Sequence, residues 1–501
     1  MTLTFAYWVA FCVYSFLVIG IGVFVWQKAK RREGEQDSQQ YWSASRQLSG
    51  WSSGLSISAS MMSISWSCVY GVQLFYWYGI GAAWLLIIPW LITMGGFYVL
   101  APLFRRLNAF SQPELLEKRF GTRSRQMLAP ALIFVFTVWG GAEIYAAGIT
   151  IAPFLGISVP LTLLLVAVVV AIYSYTGGFA AVVSTDKIQF SLVALFITIM
   201  AIVGVSAALE SLSFAELLAK TTSSPKQVAG VPWWLSPGFS IVALTFLAYL
   251  PGWLVETDVW IRLQAARSNA EARKGILVAS FNSLVFVGIL PMFIGLSALA
   301  LYPPVAGEIP VNLQDGALIF NALMRDYTPD WLNVLLGIGL VAAAMSTVDT
   351  CGNVVALSFS YDMLEPHLSR KQWPAQKLAN LARWMSVAAI FVALVYALFT
   401  ESLWDIFYLS SGILTTTVFI PVVAAFRPRT TARQTNLAIL AGFLGTLIGY
   451  FLESRGFLAG IEPQWLAETQ LGYILFGLLC SIAAFWLGGR GDRETVAQPE
   501  N

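Results

Sequence analysis

Residues 342–353 read Ala342-Ala343-Ala344-Met345-Ser346-Thr347-Val348-Asp349-Thr350-Cys351-Gly352-Asn353, and they are the most informative part of the sequence. It lies in an apolar run, residues 331–361, in which Asp349 is the one charged side chain. In a helix, four oxygen-bearing side chains fall on one face at spacings i, i+3, i+4 and i+7: Ser346, Asp349, Thr350 and Asn353. A carboxylate inside a membrane-length helix costs about 2.5 kcal/mol or more without a partner or water. This face is therefore expected to meet a polar feature at mid-depth.

Two interpretations of the polar face follow from its residue types. A hard cation held by hydroxyl, carboxylate and carbonyl oxygens is one. The other is a contact between two helices, in which each hydroxyl bonds the carbonyl four residues earlier. The helix contact suits Ser346 and Thr347 taken alone, whereas Asp349 on the same face favours the cation.

The composition of the chain is that of a polytopic membrane protein. Its 501 residues are 57% hydrophobic and 11% charged, against about 45–50% and about 25% in soluble domains. The four cysteines lie in apolar segments without motif spacing, which argues against a disulfide framework or a zinc site. The single histidine, His367, cannot supply a two-histidine metal motif. The net charge of +2 carries no information on nucleic acid, since the charges lie in short loops, and we expect no nucleic-acid partner.

A helix needs about 20 apolar residues to cross a bilayer. Thirteen stretches are expected to do so, at about residues 3–26, 48–76, 80–103, 127–152, 158–174, 182–208, 239–262, 275–300, 331–360, 379–399, 402–426, 436–453 and 467–488. The first lacks a basic leading region and a cleavage site, and basic residues follow it. We interpret it as a retained span rather than a signal peptide.

Basic residues give the expected orientation, because cytoplasmic loops of membrane proteins are enriched in lysine and arginine. Of the 29 basic residues, the loops assigned to the outer side hold four: Lys220, Lys226, Arg325 and Arg455. We therefore expect a multi-pass protein of the cell inner (plasma) membrane. Its N-terminus lies outside, its C-terminus lies in the cytoplasm, and the tail after Gly488 is polar and disordered.

Two predicted spans carry signs of a broken helix. The second has a serine stripe on one face, Ser56, Ser60, Ser63 and Ser67, together with Gly54 and Gly71. The seventh contains Tyr249-Leu250-Pro251-Gly252-Trp253, in which Pro251 removes a backbone donor at mid-helix. Broken helices at corresponding positions of two halves indicate a transporter built from inverted repeats.

The expected fold is all-α, with about 13 transmembrane helices and two inverted five-helix repeats whose first and sixth core helices are discontinuous. The expected division is an extra N-terminal helix and inner loop (1–47), repeat one (48–208), an outer loop (209–238), repeat two (239–426), two further helices (427–488) and a cytoplasmic tail (489–501).

Two carboxylates at depth have alternative interpretations. Glu143 is either the counter-charge of a cationic or amine group, with Trp139 beside it, or an acid near the interface bonded to tyrosine or backbone. Asp186, in Ser184-Thr185-Asp186, is either the N-cap of a helix or a carboxylate that closes an ion site from below, and spacing alone favours the cap.

Several motifs together resemble the sodium:solute symporter family over about residues 40–425. They are Met345-Ser346-Thr347-Val348-Asp349-Thr350, Tyr175-Thr176-Gly177-Gly178 with Thr185-Asp186-x-Ile188-Gln189, Glu117-Lys118-Arg119-Phe120-Gly121, Ile261-Arg262-Leu263-Gln264-Ala265-Ala266-Arg267 with Glu271-Ala272-x-Lys274-Gly275, and Arg46 with Trp51. The resemblance implies a LeuT-like inverted-repeat fold, with solute uptake driven by the Na⁺ gradient.

The resemblance also implies binding residues. The Na⁺ site falls on the carbonyls of Ala59, Met62 and Ala343 and the hydroxyls of Ser346 and Thr347. A second ion site, present in some members, falls on Asp186, Ser346, Asp349 and Thr350, which favours the ion role of Asp186. Asp349 stands where some members have a neutral residue, so two Na⁺ ions or a coupled proton are both open. Solute positions fall on Ser63, Trp66, Tyr70, Glu143, Tyr249 and Trp253, where packing is the alternative for the four aromatic residues.

The sequence thus predicts a Na⁺-coupled symporter of a small organic solute, and not an enzyme. An acid with aromatic neighbours favours an amino acid or another amine-bearing nutrient. A monocarboxylate or sugar symporter, or a solute sensor with a transporter-like fold, are the alternatives. No obligate protein partner is evident.

Overall fold

The computed structural model describes residues 3–30, 46–368, 373–400, 402–458 and 460–495. We label its helices in chain order: α1 Leu3–Lys30, α2 Gly50–Met61, α3 Ile64–Trp84, α4 Ile87–Arg106, α5 Gln112–Phe120, α6 Thr122–Leu155, α7 Val159–Leu209, α8 Phe214–Ala219, α9 Phe239–Trp253, α10 Thr257–Ala265, α11 Asn269–Leu301, α12 Ile319–Tyr327, α13 Asp330–Leu368, α14 Ala375–Ala397, α15 Leu403–Ala425, α16 Ala432–Ser454, α17 Gln464–Ala467 and α18 Gly472–Thr495. Short 3₁₀ turns lie in two of the connecting loops: Lys220–Ser223, Trp233–Leu235 and Val311–Leu313.

The helices reproduce the predicted spans. Among the described residues, 11 helices are long and apolar enough to cross a membrane, or 12 when the bent pair α2 and α3 counts as one span. The shorter apolar portion Val159–Tyr175 brings the number to the expected thirteen. The last helix continues to Thr495, so the prediction of a disordered tail from Gly488 is wrong for its first residues. Residues 31–45, in the first predicted inner loop, residues 369–372, at the start of a later one, and residues 496–501 lie outside the described residues.

The fifth and sixth predicted spans lie on one helix. We expected an interruption between residues 174 and 182, but α7 is helical from Val159 to Leu209, a length of 51 residues. At about 1.5 Å per residue it is long enough for two membrane-length portions. Its apolar parts are Val159–Tyr175 and Thr185–Leu209, so hydropathy located the two spans correctly. It did not predict that the backbone between them stays helical.

The predicted break in the second span is confirmed. Met62 and Ser63 leave the helical conformation, and α2 and α3 meet at an angle of 50°. Ser63 Oγ accepts a hydrogen bond of 2.9 Å from the Trp66 N–H, and Ser67 Oγ donates a bond of 2.7 Å to the Ser63 carbonyl. Serine hydroxyls therefore satisfy backbone groups where α3 begins, as the serine stripe predicts.

The break in the seventh span lies just after the predicted position. Pro251 and Gly252 are inside α9, and the non-helical residues are 254–256, between α9 and α10. Thr415 of α15 explains the difference, because its hydroxyl accepts from the Gly252 N–H at 2.9 Å and donates to the Ala248 carbonyl at 2.6 Å. The hydroxyl thus replaces one turn-closing bond of the helix and keeps the Pro-Gly pair helical.

Burial separates central helices from peripheral ones. In the most apolar windows of α13 and α15, 72% and 83% of the residues are buried, against 33% in α1 and α18. Helix α13 packs against α6, α7 and α14, and it also contacts α2. The polar stretch 342–353 therefore lies in the middle of the bundle, beside the broken end of α2.

Candidate ion and solute site

The polar face of α13 is directed into the protein. Ser346, Asp349 and Thr350 are 1%, 3% and 4% exposed, so none of them faces lipid. Thr347 Oγ1 donates a hydrogen bond of 3.3 Å to the Ser60 carbonyl, and the hydroxyls of Thr350 and Ser60 are 3.4 Å apart. These contacts join the face to the last turn of α2, just before its break.

The five predicted Na⁺ ligands lie on these two neighbouring elements. Ala59 and Met62 are in the last turn of α2 and at its C-cap, where a helix leaves carbonyl oxygens without partners in the helix itself. Ala343, Ser346 and Thr347 are buried on α13. The donor set is carbonyls and hydroxyls, the oxygen types that hold a hard cation.

Asp186 is buried and inside α7, so its interpretation as a helix N-cap is wrong. The helix passes through this residue without interruption, which leaves the carboxylate free to bind elsewhere. One oxygen accepts a hydrogen bond of 3.2 Å from Ser346 Oγ. The other accepts from Ser56 Oγ and from the Arg262 guanidinium at 3.2 Å. Asp186 thus joins α7 to α2, α10 and α13.

Asp349 bonds a different set of partners. Its carboxylate accepts from Ser174 Oγ of α7 and, at 3.2 Å, from the Asn353 side chain. Of the four residues predicted for a second ion site, the structure joins Asp186 to Ser346 directly, while Thr350 bonds Ser60.

A cavity lies beside the two breaks. Four of the six predicted solute residues line it: Ser63, Trp66, Glu143 and Trp253. The other two, Tyr70 and Tyr249, are fully buried and pack behind the tryptophans. The Tyr249 ring stacks on Trp253 with centroids 4.2 Å apart, and the Tyr70 ring lies 5.5 Å from Trp66. The alternative of aromatic packing therefore describes these two tyrosines.

Glu143 of α6 is bonded to the broken helix. Its carboxylate accepts from the Ser65 N–H at 3.3 Å and from the Ser65 hydroxyl. A carboxylate at the first turn of a helix stabilises the unpaired N–H groups there. Glu143 therefore fixes the beginning of α3 in addition to lining the cavity.

The sequence interpretation missed two acidic residues of the cavity wall, Glu256 and Asp258. Both lie inside the predicted span 239–262, a few residues after the Pro-Gly pair. Their position was the available signal, because two carboxylates within one span are costly unless they have a function or a partner. Asp258 forms an ion pair with Arg262 one turn later.

Broken helices that meet at a cavity are typical of secondary transporters of the inverted-repeat class. The model of the sodium:solute symporter family matches residues 41–442, and the chain belongs to this family. The structure of a Na⁺-coupled sialic acid symporter in a substrate-bound outward-open state is similar to it, with a TM-score of 0.70 at 16% identity, and the match covers 98% of both chains. This likeness shows the LeuT-like fold.

Curated relatives match most of the chain. It is 26% identical over 413 residues to the sodium/glucose cotransporter of Vibrio parahaemolyticus, covering 77% of this chain and 74% of the relative. The sodium/proline symporter of Salmonella typhimurium is 27% identical over 407 residues, with 78% and 76% covered. The sodium/sialic acid symporter of Aliivibrio fischeri is 24% identical over 435 residues, with 81% and 80% covered. The protein is thus a membrane-embedded, Na⁺-coupled symporter of a small molecule, in a family of transporters rather than enzymes.

Proposed function

We propose that this protein takes up a small amine-bearing solute together with Na⁺, and that the ion is held where α13 meets the broken end of α2. The main observation that supports this proposal is the contact between Thr347 and the Ser60 carbonyl, which brings the hydroxyl groups of α13 to the last turn of α2. The ligands are the carbonyls of Ala59, Met62 and Ala343 and the hydroxyls of Ser346 and Thr347. Five oxygens without formal charge suit a monovalent ion that must also be released.

Coupling follows from the position of this ion site. A cation between α2 and α13 adds attraction between two elements that belong to different repeats (48–208 and 239–426). It therefore stabilises one arrangement of the repeats over the other, and the solute binds beside the same break. Asp186, Ser346, Asp349 and Thr350 provide a second ion site, in which Asp186 supplies the charge.

The chemistry of the cavity supports an amine-bearing solute. Glu143, Glu256 and Asp258 line the cavity together with several aromatic rings. Carboxylates and aromatic faces both attract a positively charged nitrogen. The relatives named above carry glucose, proline or sialic acid, so family membership alone leaves the solute open. Uptake proceeds across the plasma membrane with the N-terminus outside, and the mechanism needs neither a protein partner nor nucleic acid.

The test is uptake into proteoliposomes of six labelled solutes: proline, arginine, putrescine and choline, which bear a nitrogen, and glucose and acetate, which do not. An inward Na⁺ gradient should drive uptake of at least one amine, and a K⁺ gradient should not. Ser346→Ala removes one ligand, so the Na⁺ concentration for half-maximal uptake should rise about 10-fold, the equivalent of about 1.4 kcal/mol. The apparent affinity for the solute at saturating Na⁺ should change much less.

Ser280→Ala is the matched control, because the Ser280 hydroxyl bonds the carbonyl of Ile276 in its own helix. It should leave the Na⁺ dependence unchanged. An equal Na⁺ dependence in Ser346→Ala and the wild-type protein would contradict the proposed ion site. Na⁺-driven uptake of glucose or acetate, without uptake of any amine, would contradict the proposed solute.

A further inference from the structure

Glu256 is a buried acid whose carboxylate has no bonding partner. It lies between α9 and α10 and is 1% exposed. Neither carboxylate oxygen has a hydrogen-bond partner among the described residues, and the side chain does not cap α10. Glu256 also lines the central cavity. Burying an ionised carboxylate without a partner is strongly unfavourable, so the partner is expected to enter from the cavity.

The nearby positive charge is shared among several acids. The Arg262 guanidinium forms ion pairs with Asp186 and Asp258 and donates to the hydroxyls of Ser56 and Ser60. The Arg262 guanidinium is thus shared by Asp186 and Asp258, in a region that also contains Glu256. An additional cation beside Glu256 would improve the charge balance of the bundle interior.

Aromatic rings form a large part of the cavity wall around Glu256. Trp66, Trp90, Trp139 and Trp253 line it. Three of the indole N–H groups are directed at serine hydroxyls: Trp90 to Ser283 at 3.1 Å, Trp139 to Ser410 at 2.6 Å and Trp253 to Ser411 at 3.1 Å. Indole rings whose N–H groups are engaged attract cations through their faces.

The same cavity is poorly suited to bind a negatively charged group of a solute. No lysine or arginine is among the described residues that line it. The backbone N–H groups exposed where α3 begins are the usual alternative for a carboxylate. Here the Ser65 N–H donates to Glu143 and the Trp66 N–H donates to Ser63 Oγ. These two backbone donors at the break are therefore occupied by the protein itself and are not free to hold the carboxylate of an amino acid.

We propose that Glu256 binds the positively charged nitrogen of the solute, and that the solute is a small organic cation without a carboxylate. This inference rests on the proposed symport and narrows its substrate class from amino acids and amines to amines alone. Glu256 acts as the specificity-determining residue, the tryptophans enclose the cationic group, and Glu143 remains bonded to α3.

The experiment measures binding to the purified full-length protein in detergent, by thermal shift and competition, in NaCl and in KCl. Two sets of probes differ mainly in charge: choline, glycine betaine and 3,3-dimethylbutan-1-ol, then 2-phenylethylamine, phenylalanine and 2-phenylethanol. In at least one set the cation should bind in NaCl, and the affinities of the zwitterion and of the neutral compound should be lower by roughly 30-fold or more. Glu256→Gln should weaken binding of that cation by a similar factor.

Two further measurements separate this role from a structural one. Without solute, Glu256→Gln should melt at the same temperature as the wild-type protein or higher, because it removes a buried charge that has no partner. Stabilisation by Na⁺ alone should be retained. Glu210→Gln, at an exposed position, is the control and should bind the cation like the wild-type protein.

Several results would overturn the inference. They are tightest binding of a zwitterion or a neutral compound, no binding of either cation, or unchanged cation affinity in Glu256→Gln. Loss of the Na⁺ effect in Glu256→Gln would make Glu256 an ion ligand instead, which also overturns the inference but leaves symport intact. The proposed function fails separately, if Na⁺ neither stabilises the wild-type protein nor drives uptake of any amine.

Discussion

Arg262 is the residue that holds the acidic interior of the bundle together. Its side chain is 1% exposed and reaches acids on α7 and on its own helix, α10. Through Ser56 and Ser60 it also contacts α2. Such an ion cluster need not stabilise a protein more than apolar packing would, but removing one member leaves the other charges buried without compensation.

Arg262→Met is therefore expected to destabilise the protein by about 3–5 kcal/mol, because Asp186 and Asp258 lose their cation together. The measurement is the melting temperature of the purified protein in mild detergent, together with its yield. Arg325→Met is the control, since Arg325 pairs with Asp326 near the end of α12, where the Arg325 side chain is exposed, and the pair should contribute about 1 kcal/mol or less.

A second variant makes this prediction specific. Adding Asp258→Asn to Arg262→Met removes one of the two uncompensated charges, so the double variant should melt at a higher temperature than Arg262→Met alone. If the two melting temperatures were equal, the cost would come from lost packing of the long side chain, and the electrostatic explanation would be wrong.

At the scale of residues, the sequence predicted the polar face of α13 better than the cavity. Asp349 in an otherwise apolar run is a strong signal, because a charge at mid-depth must face the protein interior. The partners of Asp349 and Glu143 were not predictable in this way. Ser174 and Ser65 belong to other helices, and one sequence does not show which helices pack together.

At the scale of helices, the most informative position is Gly252 in α9. A Cβ atom there would lie 2.7 Å from Leu414 Cβ and 2.8 Å from the Thr415 backbone nitrogen. Glycine therefore permits α9 and α15 to approach closely enough for the Thr415 hydroxyl to enter the hydrogen-bond ladder of α9. The sequence showed a weak point at Pro251, but the hydroxyl that compensates for it comes from a residue about 160 positions later.

Thr415→Val tests this arrangement. Valine has nearly the same shape but leaves the Gly252 N–H and the Ala248 carbonyl without their shared hydroxyl. We expect a loss of about 1–3 kcal/mol, because two buried backbone groups become unsatisfied. The readouts are the melting temperature and hydrogen exchange of the backbone amides in α9, which should become faster around Gly252.

Two control variants test whether the effect comes from the Thr415 hydroxyl. Thr415→Ser retains the hydroxyl and should keep most of the stability and the slow exchange in α9. Thr198→Val removes a hydroxyl that bonds the carbonyl of Ala194 in its own helix, so it should have little effect. Equal exchange in Thr415→Val and the wild-type protein would show that the hydroxyl does not hold the ladder of α9.

At the scale of the whole molecule, hydropathy predicted the number and order of the spans, because bilayer thickness imposes a length on every crossing helix. It did not predict that α7 continues between its two apolar portions, since hydropathy carries no information on backbone continuity. The same limit applies to the orientation of the bundle, which we infer from the distribution of basic residues.

The orientation predicts which loops a membrane-impermeant maleimide can reach in intact cells. Glu308→Cys lies in the loop assigned to the outer side and should be labelled without permeabilisation. Arg429→Cys lies between α15 and α16, on the side assigned to the cytoplasm, and should be labelled only after the cells are permeabilised. Both positions are exposed, so a difference between them reports sidedness rather than burial.

The background must lack reactive native thiols, so Cys12→Ser and Cys480→Ser are included, because Cys12 is exposed and Cys480 is partly exposed. The protein without introduced cysteines should remain unlabelled in both conditions. Labelling of position 429 but not position 308 in intact cells would reverse the inferred orientation. The excess of basic residues in the loops assigned to the cytoplasm makes that outcome unexpected, since each such charge disfavours translocation across the membrane.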